Sequence, residues 1–455
     1  MGEGPGGGPN DVLRTVFAYY LQMIPFAEAR TQTYFGHEGV FFVETKTLFG
    51  TFAGDDYGCN HAGPPRPGVM PTQLMDSSFM RFDYAGNAGG TEVCMLILDD
   101  FLWTRDLASA TKFLPICFKT LEFFMAHYPV RSGKVAFFPS QALESYQCAE
   151  RLINGSWVDL TQQMNLSWSP SDRQWHGGLN TSNCVLNDAP TVAALTSLTR
   201  RLLALPAELV TQQQRSAWQA YSNALPELPR SPDNSTLTVY ENIAEFPMNV
   251  SNSETPQLYA VHPFRLFTAA RANASGVDLS PALKAATGGQ PGFGQDGGWA
   301  QDLMNDALLG RSLEASALVI NRAMHSGCQT PKGATIFGWY ERCSPNQTQA
   351  APGYRFKGYG YQSGLSAHPP AVEQLSNMQT ALNFMLMQPA DDGFDGGIIM
   401  FPAWPCTWDL DAKLAAPGNA TVHVRYVAGK LVSLVVEPPE RASKVSFLNC
   451  VSGPL

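Results

Sequence analysis

Carboxylates, amides and a histidine are concentrated in residues 241–267, ENIAEFPMNVSNSETPQLYAVHPFRLF. The side chains that could take part in chemistry there are Glu241, Glu245, Glu254, Asn249, Asn252, Gln257 and His262. Prolines interrupt any long helix, and the tail LYAVHPFRLF is amphipathic enough to begin a buried one. A polar loop that leads into a helix can hold acids and amides at the mouth of a pocket. The alternative is a glycosylated surface loop with solvated glutamates, because most Glu side chains are exposed.

The hydrophobic period predicts the elements that must position these residues. Apolar residues recur at helical spacing over 11–35, 92–128, 190–205, 212–225, 299–317, 315–323 and 371–388. From residue 397 the period changes to two, which is typical of strands. We therefore predict an unstructured tail over 1–10, a mainly α domain of paired helices over 11–396, and a β module over 397–455. Helix pairs joined by long loops favour an α/α toroid with a cleft at one end.

Composition limits the classes of partner. The chain has 455 residues, enough for a large core, and only 15% of them are charged. A net charge of −9 and a pI of about 5.4 argue against nucleic acid and anionic membranes as partners. No apolar stretch reaches the roughly 18 residues that a membrane span needs. A neutral carbohydrate substrate fits this balance.

The nine cysteines show no zinc-type spacing, so we expect no structural metal. The run GFGQDGG at 292–298 lacks the GxGxxG spacing of a dinucleotide loop, and we expect no organic cofactor. Cys148 with Cys184, and Cys328 with Cys343, are candidate loop-closing disulfides in a secreted protein. The odd number leaves at least one free thiol or a partner elsewhere.

Glycosylation sequons indicate the compartment. Asn-x-Ser/Thr occurs eight times, at Asn154, Asn165, Asn180, Asn234, Asn249, Asn273, Asn346 and Asn419. Each would be a surface acceptor in a secreted chain or in the endomembrane lumen. The first residues, MGEGPGGGPNDVLRTVF, have no apolar core and do not form a signal peptide. Sequons without a leader predict a fragment of a longer secreted protein.

Several segments together resemble a known family. In matching order these are GHEGVFFVET (36–45), FFPSQALESYQ (137–147), LTRRLLALPAEL (198–209), SNSETPQLYAVHPFRLF (251–267), GWAQDLMNDALLG (298–310), LNFMLMQ (382–388) and FPAWPCTWDLDAKLAAPGNATVHV (401–424). They resemble the six-hairpin (α/α)6-barrel glycosidases, in particular glycoside hydrolase family 95, the inverting α-L-fucosidases and α-L-galactosidases, and more closely a separate branch of that group. The resemblance spans about residues 11–450. It implies an (α/α)6 toroid with a small C-terminal β-sandwich module.

The resemblance also implies inverting hydrolysis, in which one carboxylic acid protonates the leaving oxygen and a second group activates water. Glu245 matches by spacing the glutamate of the family's loop before the LYAVHPF-like helix, and is the predicted general acid. Glu254 and Glu44 are the next candidates. The family's water-positioning asparagines would lie upstream of Met1, which implies N-terminal truncation. Its base Asp has no clear counterpart, and Asn377 and Glu373 are the nearest polar groups.

Further side chains are candidates for sugar binding: His37, Glu38, Glu144, His262, Trp299 and Asn377. Each also has a structural interpretation. The histidines could cap or pack, the glutamates could lie on helix surfaces, and Trp in a helical barrel is usually core. No nucleophile elbow or activating pair supports a Ser–His–Asp or Cys–His mechanism.

Two rival functions follow from the same features. A non-catalytic glycan-binding or structural extracellular glycoprotein would need only aromatics and neutral hydrogen-bonding groups. An α/α-toroid polysaccharide lyase would use Tyr and His and prefer a basic cleft, which the acidic composition disfavours.

Overall fold

The computed structural model describes residues 9–42, 90–138, 140, 142, 150–153, 156–159, 167–169, 174–176, 185–241, 243, 255–287, 301–325, 372–390, 394 and 396–451. The chain divides into two compact units. The first comprises residues 1–250 with 392–395, and the second comprises residues 251–391 with 396–455. The predicted boundary at residue 396 between a helical domain and a β module stays a prediction.

The first unit is built from helices. They are α1 (Pro9–Phe35), α2 (Thr91–Thr104), α3 (Leu107–His127), α4 (Ala189–Leu203) and α5 (Gln212–Ala224). Helices predicted from the hydrophobic period at these places are confirmed. The stretch between α3 and α4 contains two short antiparallel hairpins. These are β1 (Glu150–Ile153) with β2 (Ser156–Asp159), and β3 (Ser167–Ser169) with β4 (Gln174–His176).

Side-chain caps fix where the helices of the first unit begin. The carboxylate of Asp106 accepts the amide N–H of Ser109 at the start of α3. Thr211 and Gln214 form a reciprocal capping box at the start of α5. These short polar side chains satisfy amide groups that the first helical turn leaves without partners.

Contacts between α2 and α4 show that the two helices run parallel. The hydroxyl of Ser197 lies 3.6 Å from the sulfur of Met95, and further along both helices Arg201 pairs with Asp99 at 2.7 Å. Arg201 is completely buried, so its charge depends on this ion pair and on neighbouring carbonyl groups. The pairing therefore holds α2 and α4 in a fixed register.

Helix α3 runs antiparallel to α2. Ser109, near the start of α3, donates to Asp100 near the end of α2 at 3.0 Å. Cys117, further along α3, lies beside the carbonyl of Cys94 near the start of α2. The two helices thus form a helical hairpin.

Helices α1, α3 and α5 run parallel to one another. Phe17 of α1 packs on Phe113 of α3, and further along the pair Glu28 of α1 binds Lys119. Likewise Phe118 packs on Trp218 of α5, and the Tyr221 hydroxyl donates to the carbonyl of Phe124 at 3.1 Å. Helices α2 and α4 therefore form one layer and α1, α3 and α5 another. Such layered hairpins are what an α/α toroid requires, although a closed toroid stays a prediction.

Burial distinguishes the two layers. Nearly every residue of α4 is buried, whereas α5 buries only Trp218, Tyr221 and Ala224. A helix that is buried on all sides lies in the interior, and a helix that buries only one face lies on the outside. The first unit thus has its core along α2 and α4.

The second unit contains a 3-10 turn (Pro256–Leu258) and the helices α6 (Ala269–Ser275), α7 (Ser280–Thr287), α8 (Asp302–Leu308), α9 (Ser312–His325) and α10 (Val372–Leu386). The prediction that LYAVHPFRLF begins a helix is wrong. The chain continues in turns until Thr268 caps α6, because Pro263 has no amide N–H to continue a helical ladder. The predicted run over 299–323 divides into α8 and α9 around Gly310, whose φ is +78°.

Two three-stranded sheets complete the second unit. The first has the order β10 (Val445–Phe447), β6 (Ile398–Met400), β5 (Met387–Pro389). The second is an antiparallel meander of β7 (Leu410–Ala416), β8 (Ala420–Val427) and β9 (Lys430–Glu437). Along β8, Val422, Val424 and Tyr426 are buried, while the residues between them are exposed. The strand period predicted from residue 397 is confirmed, and the sandwich arrangement stays a prediction.

Candidate active site

Burial raises the pKa of two described carboxyl groups to about 7: those of Glu92, and of Asp306 in the second unit, which is paired with Arg311. Glu92 lies in the first turn of α2, and the residue is half-buried. Burial nevertheless raises the pKa of Glu92 to about 7. Nearby, burial together with the charges of Tyr19 and Glu92 raises the pKa of Tyr20 to about 12. A glutamate with a pKa near 7 is partly protonated at neutral pH and can act as general acid or general base.

A backbone position without a side chain allows the start of α2 to pack closely. Gly90, the residue before α2, has a φ of +103°. A Cβ atom at Gly90 would collide with the ring of Phe42 and with the hydroxyl of Thr120. The ring of Tyr20 packs edge-on against Phe42 at 4.9 Å. Phe42, backed by Tyr20, therefore lies against the residue that precedes α2, which is consistent with the desolvation of Glu92.

Asp188 caps the neighbouring parallel helix α4. Its carboxylate accepts the amide N–H of Thr191 at 2.8 Å, and it forms a short hydrogen bond with the Ser140 hydroxyl. Burial raises the pKa of Asp188 to about 6, although the hydrogen bonds from Ser140 and Thr191 act in the opposite direction. Asp188 is thus a structural cap that also titrates near neutral pH.

Asn187 connects this helix start to the stretch that the sequence singled out. It has a left-handed backbone, with a φ of +50°, and its side-chain oxygen accepts the amide N–H of Phe137 at 2.8 Å. Its side-chain amide donates to the carboxylate of Glu241, and the amide N–H of Glu241 donates to Leu186 at 2.9 Å. The beginning of the 241–267 stretch is therefore fixed at the N-terminal end of α4.

The parallel course of α2 and α4 places Glu92 and Asp188 at the same end of the first unit. They lie at different levels. Met95 lies opposite Ser197, so Glu92, three residues earlier, is level with residue 194 of α4. Asp188 precedes that residue by six positions, which corresponds to about 9 Å of helix rise. The two carboxyl groups therefore do not share a hydrogen bond, and each titrates in its own surroundings.

His37, a predicted sugar ligand, pairs with another histidine. Its Nε2 lies 3.0 Å from Nδ1 of His127, and its Nδ1 lies 2.8 Å from the carbonyl oxygen of Glu38. Since a carbonyl only accepts, Nδ1 of His37 donates and its Nε2 accepts from His127. Burial and the nearby His37 charge lower the pKa of His127 to about 4. The ring of Phe123 stacks on His127, so the geometry favours a packing role for His37.

The other described candidates are Glu38 in the first unit and His262 and Asn377 in the second. Glu38 is exposed. In the second unit His262 is half-buried in a turn, with its ring 6.3 Å from that of Phe384. Asn377 is half-buried on α10, seven residues before Phe384. His262 and Asn377 thus lie along one side of α10, about two helical turns apart.

Several predicted residues lie outside the described part of the chain. These are the catalytic candidates Glu44, Glu245 and Glu254, the binding candidates Glu144 and Trp299, and the cysteines 148, 184, 328 and 343. The side chain of Glu373 is also outside it. Their roles stay predictions.

Three sequon asparagines are described, and all three are exposed. Asn234 and Asn419 lie in turns with left-handed backbone, and Asn273 lies on α6. This exposure is what a glycan acceptor requires, and glycosylation stays a prediction. The other sequons, at Asn154, Asn165, Asn180, Asn249 and Asn346, fall outside the described residues.

The described ranges contain neither a metal-binding cluster nor a membrane-spanning helix. No cluster of three His, Cys, Asp or Glu side chains there could hold a metal ion. Nor does any helix in these ranges have the length and apolar character to cross a membrane.

No protein-family model and no curated protein sequence matches this chain. The family resemblance noted in the sequence therefore stays a hypothesis. Sequence reasoning missed Glu92 and Asp188 as titrating groups. The signal for Asp188 was present, because Asp before Ala-Pro is a typical helix N-cap. A single Glu at the start of an apolar helix carries no comparable signal.

Proposed function

We propose that this chain is the barrel portion of a secreted, N-glycosylated glycoside hydrolase that cleaves a non-reducing-end sugar of the α-L-fucoside or α-L-galactoside class by inversion. The observation that carries the proposal is Glu92, a half-buried residue at one end of layered helical hairpins whose carboxyl group has a pKa raised to about 7 by burial. The sequence resemblance, the acidic composition and the helical layers support the same function.

In this proposal a protonated carboxyl group donates its proton to the glycosidic oxygen as the bond to the anomeric carbon breaks. A second group removes a proton from the water that attacks the opposite face. Glu245 remains the acid indicated by the resemblance, with Glu254 and Glu44 as its alternatives. Glu92 is the described residue suited to either task, since its pKa near 7 makes both protonation states available.

Features of the compartment support secretion. Cys406 and Cys450 form a disulfide, and such bonds persist in oxidising compartments. The exposed asparagines 234, 273 and 419 add surface acceptors for glycans. No metal or organic cofactor is part of the proposed reaction.

One observation favours the non-catalytic alternative, a glycan-binding or structural glycoprotein. Asp188, the second buried carboxyl group at this end of the first unit, is already engaged by Ser140 and Thr191. A carboxylate used as a helix cap is not free to activate water. The alternative keeps the scaffold and sugar contacts and dispenses with hydrolysis.

A substrate panel tests the proposal. The chain is incubated with aryl α-L-fucosides, aryl α-L-galactosides and common aryl pyranosides, and the anomer of the first sugar released is identified by NMR. We expect release with inverted configuration, and strongly reduced release in Glu245→Gln if Glu245 is the acid. Release that is unchanged in Glu245→Gln would support the hydrolase and show that its general acid is another residue. No release from a folded chain that still binds glycan would contradict the proposal and favour the alternative.

A further inference from the structure

Helix α8 carries a buried amide whose hydrogen-bonding groups are unused. The side chain of Asn305 is 1% exposed, and neither its oxygen nor its nitrogen has a hydrogen-bond partner among the described residues. Every residue from Leu303 to Leu308 is buried, so Asn305 is shielded from bulk water in the free chain. A buried polar atom without a hydrogen-bond partner destabilises the folded state.

A second amide lies on the same side of α8. Gln301, four residues earlier, is one helical turn from Asn305, and residues spaced in this way share a face. The side-chain oxygen of Gln301 is also buried without a partner in the described ranges. Its nitrogen lies 3.5 Å from the hydroxyl of Tyr259, at the limit of hydrogen bonding. Two neighbouring amides therefore present unused donors and acceptors.

Other buried amides in this unit are fully used. The side chain of Gln388 donates to the carbonyls of Ala307 and Phe384 at 2.9 and 3.0 Å, and accepts from the amide of Ala270 at 3.2 Å. Gln388 contacts the same helix, α8, through Ala307. Buried polar groups are normally satisfied in this manner, so the unused groups of Asn305 and Gln301 are exceptions that require a cause.

The surroundings select the charge of any group that would bind these amides. Asp306, next to Asn305 in the chain, is buried and paired with Arg311 at 2.6 Å. Asp302 lies beside Gln301. Because Arg311 is already engaged by Asp306 and by Glu314, it is not free to attract an anion. A side-chain amide offers both N–H donors and an acceptor oxygen, which matches the hydroxyl groups of a neutral sugar.

We infer that Gln301 and Asn305 form a binding site for the hydroxyl groups of a neutral pyranose. This inference deepens the proposed carbohydrate function and rests on it. A site that rejects analogues lacking a hydroxyl must contain buried polar groups that remain unpaired until the ligand arrives. The amide pair has this property, and its unpaired polar atoms lower the stability of the free chain.

The chain contains a matched control. On α5, Gln219 and Asn223 have the same residue types and the same spacing of four. These two side chains are exposed, and Gln219 donates to Asn223 at 2.8 Å. An amide pair that is satisfied and solvated has no reason to bind a sugar.

The test uses Asn305→Leu, with Asn223→Leu as control and Gln301→Met as a second variant. Binding of L-fucose, D-galactose and D-glucose is measured by saturation-transfer NMR titration, and thermal unfolding is measured without sugar. We expect Asn305→Leu to unfold at the same or a higher temperature than the original chain, and to bind sugar at least tenfold more weakly. Gln301→Met should weaken binding as well, and Asn223→Leu should leave it unchanged.

Two results would overturn the inference. One is sugar binding by Asn305→Leu and Gln301→Met that equals that of the original chain, as expected if a buried water satisfies the amides. The other is the absence of binding of any of the three sugars by the original chain. Because binding is measured without hydrolysis, a folded chain that binds through Asn305 but releases no sugar would retain this inference and reject the hydrolase.

Discussion

At the scale of the residue, the pKa of Glu92 is shifted by burial alone. No cation contributes to this shift. At Asp306, by contrast, burial raises the pKa while the charge of Arg311 lowers it. An unfolded chain would ionise Glu92 near its ordinary pKa of 4.5. The folded state therefore binds a proton more tightly at this group than the unfolded state does. Such a difference makes the stability of the first unit depend on pH.

Replacing Glu92 by Gln should change the pH dependence of stability. In the original chain Glu92 is protonated in both states below pH 4.5, so its penalty is absent there. As the pH rises from 4.5 to 7, the unfolded state loses its proton first, and the free energy of unfolding falls. Glu92→Gln cannot ionise, and should be more stable than the original chain at pH 8 by on the order of 1–3 kcal/mol.

Chemical unfolding at pH 4.5 and pH 8 measures this difference. Glu208→Gln, at an exposed glutamate in the turn after α4, serves as the control and should behave like the original chain at both values. A Glu92→Gln variant whose stability relative to the original chain is the same at the two pH values would show that Glu92 titrates normally.

At the scale of the element, the segment 36–42 is packed tightly onto α3. Its amide at Val40 donates to the carbonyl of Lys119 at 2.9 Å. Gly39 has a φ of +93°, and a Cβ atom there would fall on the backbone of Phe123. This contact brings His37 to His127 and Phe42 to the start of α2.

Gly39→Ala should therefore destabilise the first unit by at least about 2 kcal/mol, because the new methyl group meets backbone atoms that cannot move aside. Gly36→Ala is the matched control. Gly36 also has a positive φ, of +70°, but has open space around it, so only backbone strain of about 1 kcal/mol is expected. Equal losses in thermal unfolding for the two variants would show that the close packing at Gly39 contributes nothing.

Helices were the elements most accessible to prediction. The runs at 92–128, 190–205 and 212–225 combine a period of 3.6 with recognisable caps such as Asp106 and Thr211, and both signals are local. The helix expected at LYAVHPFRLF failed because Pro263 removes a donor that the apolar period does not reveal. Helix α10 ends two residues early, because Met387 and Gln388 pair with β6 instead.

The site was less accessible than the fold. The raised pKa of Glu92 and the unused amide of Asn305 both arise from burial by residues distant in sequence. The sequence pattern around a Glu or Asn in an apolar helix is the same whether the side chain faces solvent or the core. The sequence did indicate the stretch at 241–267 as polar and functional, and the bond between Glu241 and Asn187 places its beginning at the start of α4.

At the scale of the whole molecule, the described cysteines divide by location. Cys406 and Cys450 are bonded in the second unit, beside the hydroxyl of Tyr426, which donates to the carbonyl of Cys406 at 3.1 Å. Cys94 and Cys117 are free and buried between α2 and α3. The bonded pair was not among the predicted disulfides, because pairing depends on a tertiary approach across 44 residues.

We propose that this molecule hydrolyses glycosides with a carboxyl group whose pKa lies near 7. The most direct test compares the original chain, Glu92→Gln and Glu208→Gln on two substrates that share one sugar, one with an activated aryl leaving group and one with an alkyl leaving group. Proton donation matters most when the leaving oxygen is poor, and general acid catalysis contributes about 10²–10⁴-fold.

We predict that the original chain and Glu208→Gln cleave both substrates. If Glu92 rather than Glu245 is the acid, Glu92→Gln should lose about 10²-fold or more on the alkyl glycoside and much less on the aryl glycoside. If all three chains cleave both substrates at equal rates, Glu92 is not the acid. If the folded original chain cleaves neither, the hydrolase account is wrong.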